Sequence, residues 1–357
     1  MNESKIYDVL VIGGGQAGLG IGYYLKRSCK TFVIVDASTR TGDPWRQRWD
    51  SLELFTPRPF AALPGLKVSK KYQYYPLKDE IADYFESYVH TFELPIIHDT
   101  RITKLTKSNG VFSADTASGV IQARQVVIAN GPFHKPFIPD CAKHLAPIVW
   151  QLHSLDYKNS SQVPNGNVLV VGGGNSGAQL AMELSKTHAV TIATSGAPWF
   201  LPSQILGISV YWFFYMFGAL RSDKDSKLSK YVRRRGDGII GKELQTLVRA
   251  KKVNLITYKL TDCSGANVQF KNGTSITVDN ILWATGFMPD YSWVDVDGAT
   301  DTKGLPMHKA GVSPIEGLYW LGLPWQRKLN SSIINGVAQD AKYVFKRIMN
   351  ECGRRPI

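Results

Sequence analysis

Two stretches decide the fold. They are Val9-Leu10-Val11-Ile12-Gly13-Gly14-Gly15-Gln16-Ala17-Gly18 and Val168-Leu169-Val170-Val171-Gly172-Gly173-Gly174-Asn175-Ser176-Gly177. Each is an apolar run followed at once by G-x-G-x-x-G. In the first copy, Ile6 to Ile12 reads as a strand buried on both faces, the habit of parallel sheets. A helical pattern follows, with Leu19, Tyr23 and Leu25 available to pack, and Thr31 to Val35 gives a second strand ending in Asp36. Strand, glycine turn, helix, strand and acid together form the dinucleotide fingerprint. Gly13 makes the tight turn, Gly15 lets backbone approach a pyrophosphate, and Gly18 allows close helix–strand packing. The helix N-terminus, with Gln16 and Ala17 in its first turn, faces the anion. Asp36 sits where a carboxylate accepts from ribose hydroxyls.

The second copy repeats this arrangement. Asn167 to Val171 is the strand, Gly172, Gly174 and Gly177 are the glycines, Asn175 and Ser176 open the helix, and Val190 to Ala193 is the next strand. Counting from the third glycine, the position matching Asp36 is Ser195, so no carboxylate is expected there. The likeness between the halves runs further. Val111 to Asp115 and Val120 to Arg124 read as antiparallel strands leading to Ala129-Asn130-Gly131. Val268 to Phe270 and Ser275 to Val278 flank Asn272-Gly273, a strong hairpin signal, and lead to Ala284-Thr285-Gly286. The chain is therefore an internal duplication of the α/β class, with two Rossmann-type dinucleotide-binding domains. The expected division is a discontinuous first domain, 1–163 and 278–357. The second, 164–277, is inserted into it and carries an apolar helical insert near 203–231.

Composition narrows the function. The 357 residues are 44% hydrophobic, enough for a sizeable core. The formal net charge of +13 suits an anionic partner. No nucleic-acid motif accompanies it, and Arg233-Arg234-Arg235 is too short for a binding arm, so no nucleic acid is expected. Four cysteines, at 29, 141, 263 and 352, form no Cys-x-x-Cys and no Cys/His cluster. A redox disulfide and a metal site are disfavoured, and reduced thiols in a cytoplasmic protein are expected. The N-terminus enters a strand without a signal-like segment. Ile205 to Leu220 is uncharged but falls short of the ~20 residues of a spanning helix. It reads as a pocket-lining helix or as a peripheral membrane contact.

Two dinucleotide sites on one chain imply a relay between two cofactors. Asp36 suits the adenosine ribose of FAD. Thr194 and Ser195 offer hydroxyls without negative charge, which suits NADP, while NAD stays open because no arginine stands beside Ser195. Further segments add to this pattern: Gly42 to Arg46, Arg48-Trp49-Asp50-Ser51-Leu52, Leu54-Phe55-Thr56-Pro57, Gln151 to Ser154 with Tyr157, Phe287, Asp290 to Trp293, and Gly322 to Gln326. In these the chain resembles the flavin-containing monooxygenases. More narrowly it is similar to their bacterial cation-efflux-associated branch and to the plant YUCCA-type enzymes. The family signature before the second glycine motif is matched by His153, Ser154 and Tyr157, while Pro147 and Val149 replace its Phe and Gly. Pro57 stands where animal members carry an Asn near the flavin.

The resemblance implies a glutathione-reductase-like fold and chemistry carried by the flavin. NAD(P)H would reduce FAD, and oxygen would give a C4a-hydroperoxyflavin that oxygenates a small heteroatom-containing or apolar substrate. No catalytic side chain is expected. It further implies that Trp45 and Arg46 lie near the flavin, that Trp325 and Gln326 edge it, and that Asn330-Ser331-Ser332 cap a final helix aimed at it. Gly131 and Gly286 end the two A-x-G strands beside the cofactors, and His153 has an orienting role. The segment from Pro202 to Tyr231 would roof the substrate entrance. Two alternatives remain: a reductase passing electrons to a quinone or other acceptor, and a membrane-associated redox-sensing flavoprotein.

Overall fold

Buried four- to seven-residue runs alternate with helices, and they build one mixed and one wholly parallel sheet. The computed structural model describes residues 5–69, 74–236 and 238–352. The first sheet is made of β1 (Ile6–Ile12), β2 (Phe32–Val35), β3 (Ile96–Ile97), β4 (Lys104–Ser108), β5 (Val111–Thr116) and β6 (Gly119–Ile128), in the order β3-β2-β1-β6-β5-β4. Leu318–Trp320 joins β6 in parallel as a seventh strand. All four residues of β2 are buried, as a strand covered on both faces requires. The excursion expected at 111–124 is a hairpin whose second arm runs on to Ile128, so excursion and A-x-G strand are one strand.

Helices cover the sheet through matched apolar faces. Helix α1 (Gln16–Leu25) buries Leu19, Ile21 and Leu25 against Val337, Ala341, Val344 and Ile348 of the C-terminal helix Ile334–Cys352. The 4-3-4 spacing of those four residues is one helical stripe. Gly20 faces this contact, where a Cβ would lie 3.6 Å from Ala341 Cβ, an ordinary packing distance.

The second sheet is wholly parallel, in the order Val253–Ile256, Ala189–Ala193, Asn167–Val171, Asn280–Trp283, Trp150–His153. Two of its strands, 150–153 and 280–283, lie outside the expected span of 164–277. Asn280–Trp283 pairs with Asn167–Val171 just as β6 pairs with β1, because the duplicated unit extends through its A-x-G strand. The antiparallel excursion is the three-stranded sheet Leu260–Ser264, Asn267–Phe270, Ser275–Thr277, turning at Gly273 with φ +84°.

Two sequence expectations change in three dimensions. Cys141 and Cys263, 122 residues apart, bring their Sγ atoms to 3.2 Å as free thiols. Burial and the neighbouring thiol push Cys263 up to about 12, so it stays protonated. Cys352's side chain lies outside the described residues. The apolar run 205–220 is not one helix. It divides into a hairpin (Gln204–Ile205 with Ile208–Ser209), a helix Val210–Met216 and a 3-10 turn Ala219–Arg221. Among the described residues no helix is long and apolar enough to cross a membrane.

The glycine turns are sterically committed. A Cβ at Gly177 would lie 2.1 Å from Gly172 O, whereas one at Gly196 would meet nothing within 4 Å. Gly177→Ala is therefore expected to destabilise the fold by about 2 kcal/mol or more, and Gly196→Ala to change it by less than about 0.5 kcal/mol. Urea unfolding of both variants measures the difference.

Candidate cofactor-binding site

Both glycine turns are built by the same contacts. Gly13 N donates to Val35 O at 2.8 Å, and Ala129 N donates to Ile12 O at 2.7 Å. Gly13 has φ +109°, and a Cβ on it would sit 2.6 Å from Ala129 O. In the second half, Gly172 N donates to Ala193 O at 2.9 Å and Ala284 N to Val171 O at 2.8 Å. Gly172 has φ +138°, with its absent Cβ 2.2 Å from Ala284 O. The middle glycines, Gly15 and Gly174, face open space and start their helices with no side-chain cap. The first-turn amides are thus left for an anion that backbone can approach closely.

The register between halves corrects the position that matches Asp36. Asp36 follows Val35, the partner of Ile12, and its amide donates to Ile97 O at 2.9 Å. The residue following Ala193, the partner of Val171, is Thr194, whose amide donates to Ile256 O at 2.8 Å. Gly14 abuts Asp36 as Gly173 abuts Thr194. Thr194, not Ser195, is therefore the counterpart, because the second helix–strand connection is one residue shorter. Asp36 accepts from Gly14 N and, at 2.8 Å, from Ser38 N. Thr194 is buried and donates to Gly196 O at 2.7 Å, while Ser195 is exposed.

Other expected residues gather at the first turn. Gln16 Nε2 donates to Ser332 O at 3.2 Å, tying the start of α1 to the segment before the C-terminal helix. A Cβ at Gly322 would lie 2.9 Å from Ala17 Cβ, so this segment presses on the turn. Ser331 is buried and fastens the segment before the C-terminal helix: its Oγ accepts from Arg327 N and Lys328 N at 3.1 and 2.9 Å, and its side chain also hydrogen-bonds Asp340 of that helix. Gln326 is buried, accepts from Leu323 N at 3.2 Å, and leaves Nε2 without a protein partner. At the second turn, Asn175 is used structurally. Its Nδ2 donates to Gly238 O and its Oδ1 accepts from Ile240 N, while Ser176 is exposed.

The loop after Asp36 rearranges the expected roles. Trp45 packs on the first core. Arg46 is saturated by Asp83, Glu86 and Asp43 at 2.9, 3.0 and 3.6 Å and donates to Thr41 O, so its charge is already neutralised. Arg48 differs. Its guanidinium lies 5.3 Å from the Phe287 ring centre, and among the described residues it makes no hydrogen bond or ion pair. Burial lowers its pKa. Only folding separates these two arginines, since Arg46 faces the acidic side of the helix Lys78–Thr91 and Arg48 does not.

His153 closes the junction between the halves. Its Nδ1 accepts from Leu155 N at 3.1 Å, which leaves Nε2–H to donate to Gly286 O at 3.1 Å. Both ring nitrogens are spent on backbone, so the imidazole positions the Gly286 turn and has none left to move a proton. Phe287 stacks edge-on against it at 5.2 Å, and Phe137 N also donates to Gly286 O. Across the junction, Tyr291 Oη donates to Gly131 O at 3.2 Å. The two A-x-G ends, far apart in sequence, are joined by the pair Lys135–Pro136 and Phe287–Met288.

Two dinucleotide turns with unlike partners meet at one junction, and this is the pattern of a known family. The family model described as pyridine nucleotide-disulphide oxidoreductase matches residues 10–322. The chain belongs to this family. Its relatives are flavoprotein oxidoreductases. An uncharacterized CzcO-like oxidoreductase of Geobacillus kaustophilus is 45% identical over 345 residues, covering 97% of this chain and 99% of that protein. A probable indole-3-pyruvate monooxygenase of Arabidopsis thaliana is 25% identical, over 96% of this chain and 90% of that one. The solved flavin-containing monooxygenase from Stenotrophomonas maltophilia superposes with a TM-score of 0.82 at 26% identity, covering 98% and 99%. The resemblance to flavin-containing monooxygenases and the two-domain α/β fold are borne out, and the protein is an enzyme of the oxidoreductase class. Within this oxidoreductase the open glycines, the uncapped helix starts and Asp36 are the features a dinucleotide needs, so the residues fit the cofactors of the family.

Burial holds His153, His134 and His308 below the ordinary histidine pKa. Such groups bind fewer protons folded than unfolded. Stability is therefore complete above the unfolded value of about 6.5 and is lost as pH falls from there toward the folded values. We expect urea midpoints to drop between about pH 7.5 and 5.5, and to drop less in His153→Gln, whose neutral amide does not titrate.

Proposed function

We propose that this oxidoreductase is an NAD(P)H-driven, FAD-dependent monooxygenase of a small apolar or heteroatom-bearing molecule. The observation that carries the reading is the pair of complete glycine turns that end differently, one in Asp36 and one in Thr194. FAD is assigned to the first sheet and the nicotinamide dinucleotide to the second. Held beside Gly15 and Asp36, FAD would supply hydride acceptance from a reduced nicotinamide and electron delivery to dioxygen.

The chain's own residues bind, orient and exclude water. Asp36 takes ribose hydroxyls, and the amides opening α1 take the pyrophosphate beside Gly15. Gly174 and the helix after it do the same for the nicotinamide dinucleotide. Thr194 leaves room for a 2′-phosphate where a carboxylate would repel it. His153 fixes the Gly286 turn between them. Arg48, half-buried without an acceptor, is the cation available at this junction for an anionic group, because an unpaired buried charge costs several kcal/mol unless something neutralises it. Val210, Tyr211 and Phe214 pack on Phe55, Phe60 and Ile333 and form an apolar roof. Such a roof keeps water from a reactive centre and favours an apolar substrate. The setting is the cytoplasm, where nicotinamide is kept reduced.

A reductase that only delivers electrons is the competing reading. The sequence has no Cys-x-x-Cys to relay them to a disulfide. Turnover under isotopically labelled dioxygen separates the two. Label in an organic product supports oxygenation, while label recovered only as peroxide or water, with rapid quinone reduction, would sink it. Thr194→Asp should lower NADPH efficiency relative to NADH by about tenfold or more, the equivalent of ~1.4 kcal/mol. Steady-state kcat/KM for both nucleotides measures this, and an unchanged ratio would mean that Thr194 does not face the 2′ position.

A further inference from the structure

The insert 203–231 has two unlike sides. Its inner side, Val210, Tyr211 and Phe214, is the roof described above, and Tyr211 hydrogen-bonds Thr56. Its outer side is apolar and uncovered. Leu206 is 97% exposed, Phe217 78% and Met216 66%, with Ile205 and Ile208 exposed as well; Trp212 and Tyr215 form the edge, partly exposed with their rings against Phe60. Of the 21 exposed large hydrophobics among the described residues, nine fall between 205 and 231, and seven of these lie in the hairpin and short helix between 205 and 217.

The local backbone makes the patch costly in water. The hairpin Gln204–Ser209 turns through Leu206 and Gly207, both with positive φ, at +50° and +76°. Such a turn favours Asn-Gly, and a leucine there accepts a disfavoured conformation. It gains nothing from solvent for doing so. Ile205, Leu206 and Ile208 are thus held out at a hairpin tip, beside the exposed face of the helix Val210–Met216.

Charge selects what covers it. Arg221 borders the aromatic face, 4.8 Å over the Tyr215 ring and donating to its hydroxyl at 3.2 Å. From 221 to 235 the chain carries seven basic side chains against two acidic ones, Asp223 and Asp225. The helix Lys227–Arg235 in this stretch exposes Leu228 and Tyr231 between Lys227, Lys230 and Arg234. Apolar wedges beside a basic stretch match an anionic interface with an apolar interior. The helix Val210–Met216 is only seven residues, far too short to span, so contact is with the surface.

We propose that this outer face docks the enzyme on an anionic phospholipid membrane. The apolar roof of the site then lies one helix thickness from the lipid, a short path for an apolar substrate. Docking itself does not depend on oxygenation and is read without turnover.

The test is co-sedimentation of the full-length protein with vesicles of phosphatidylcholine alone and with phosphatidylglycerol added. Binding is expected only to the anionic vesicles, weakening as salt rises. It should fall at least tenfold in a Leu206→Ser/Met216→Ser/Phe217→Ser variant, with the rate of reduction by NAD(P)H in solution unchanged. Equal binding to neutral vesicles, binding unaffected by the triple substitution, or no binding would overturn the proposal. So would a concentration-dependent dimer that the same variant abolishes, since a second copy would then be the occupant.

Discussion

Each half of the molecule depends on one close approach, the third glycine of its turn lying on the carbonyl of the first. A Cβ at Gly18 would be 1.8 Å from Gly13 O, and at Gly177 2.1 Å from Gly172 O. Without that approach the helix could not start directly off the strand, and its first amides would not face the crevice at the strand ends. The neighbouring A-x-G strand is set by the same geometry, because Gly13 and Gly172 each turn under the carbonyl of Ala129 or Ala284. Sheet order, helix direction and anion site are thus consequences of contacts only glycine permits.

Duplication of that unit gives two sites, and small departures from symmetry make them different. Asp36 and Thr194 hold the same register, yet one carries a charge and the other a hydroxyl already bonded to Gly196 O. Gln16 reaches to Ser332 O, while Asn175 reaches to Gly238 and Ile240. The first residue of each helix therefore fastens a different segment over its turn, and the two crevices acquire different walls. Where the halves meet, His153, Phe287 and Gly286 are joined through neutral hydrogen bonds and ring contacts. A neutral imidazole suits that place, since burial holds its pKa down and the nearby Arg48 charge adds to the effect.

The insert at 203–231 belongs to neither copy. One face of its short helix completes the core over the first domain, and the other leaves apolar side chains in solvent. A helix of this length has too little surface to hide on both sides, so its exposure follows from its being a single layer over the site.

The sequence by itself determined the two Rossmann units, the duplication and Asp36, since glycine spacing and buried runs are local signals that few backbones satisfy. Gly13, Gly15, Gly18 and their second-half counterparts were legible for that reason. Tertiary structure alone decided what depends on register or on side-chain direction. A connection one residue shorter moved the Asp36 counterpart from Ser195 to Thr194. The strands 150–153 and 280–283 joined the second sheet because pairing partners lie far away along the chain. Two carboxylates from the distant helix Lys78–Thr91, with Asp43 beside them, neutralise Arg46 and leave Arg48 unpaired, though the two arginines are neighbours in sequence. Cys141 and Cys263 meet for the same reason. Contacts between distant residues leave no periodic trace in sequence, so only the packed chain reveals them.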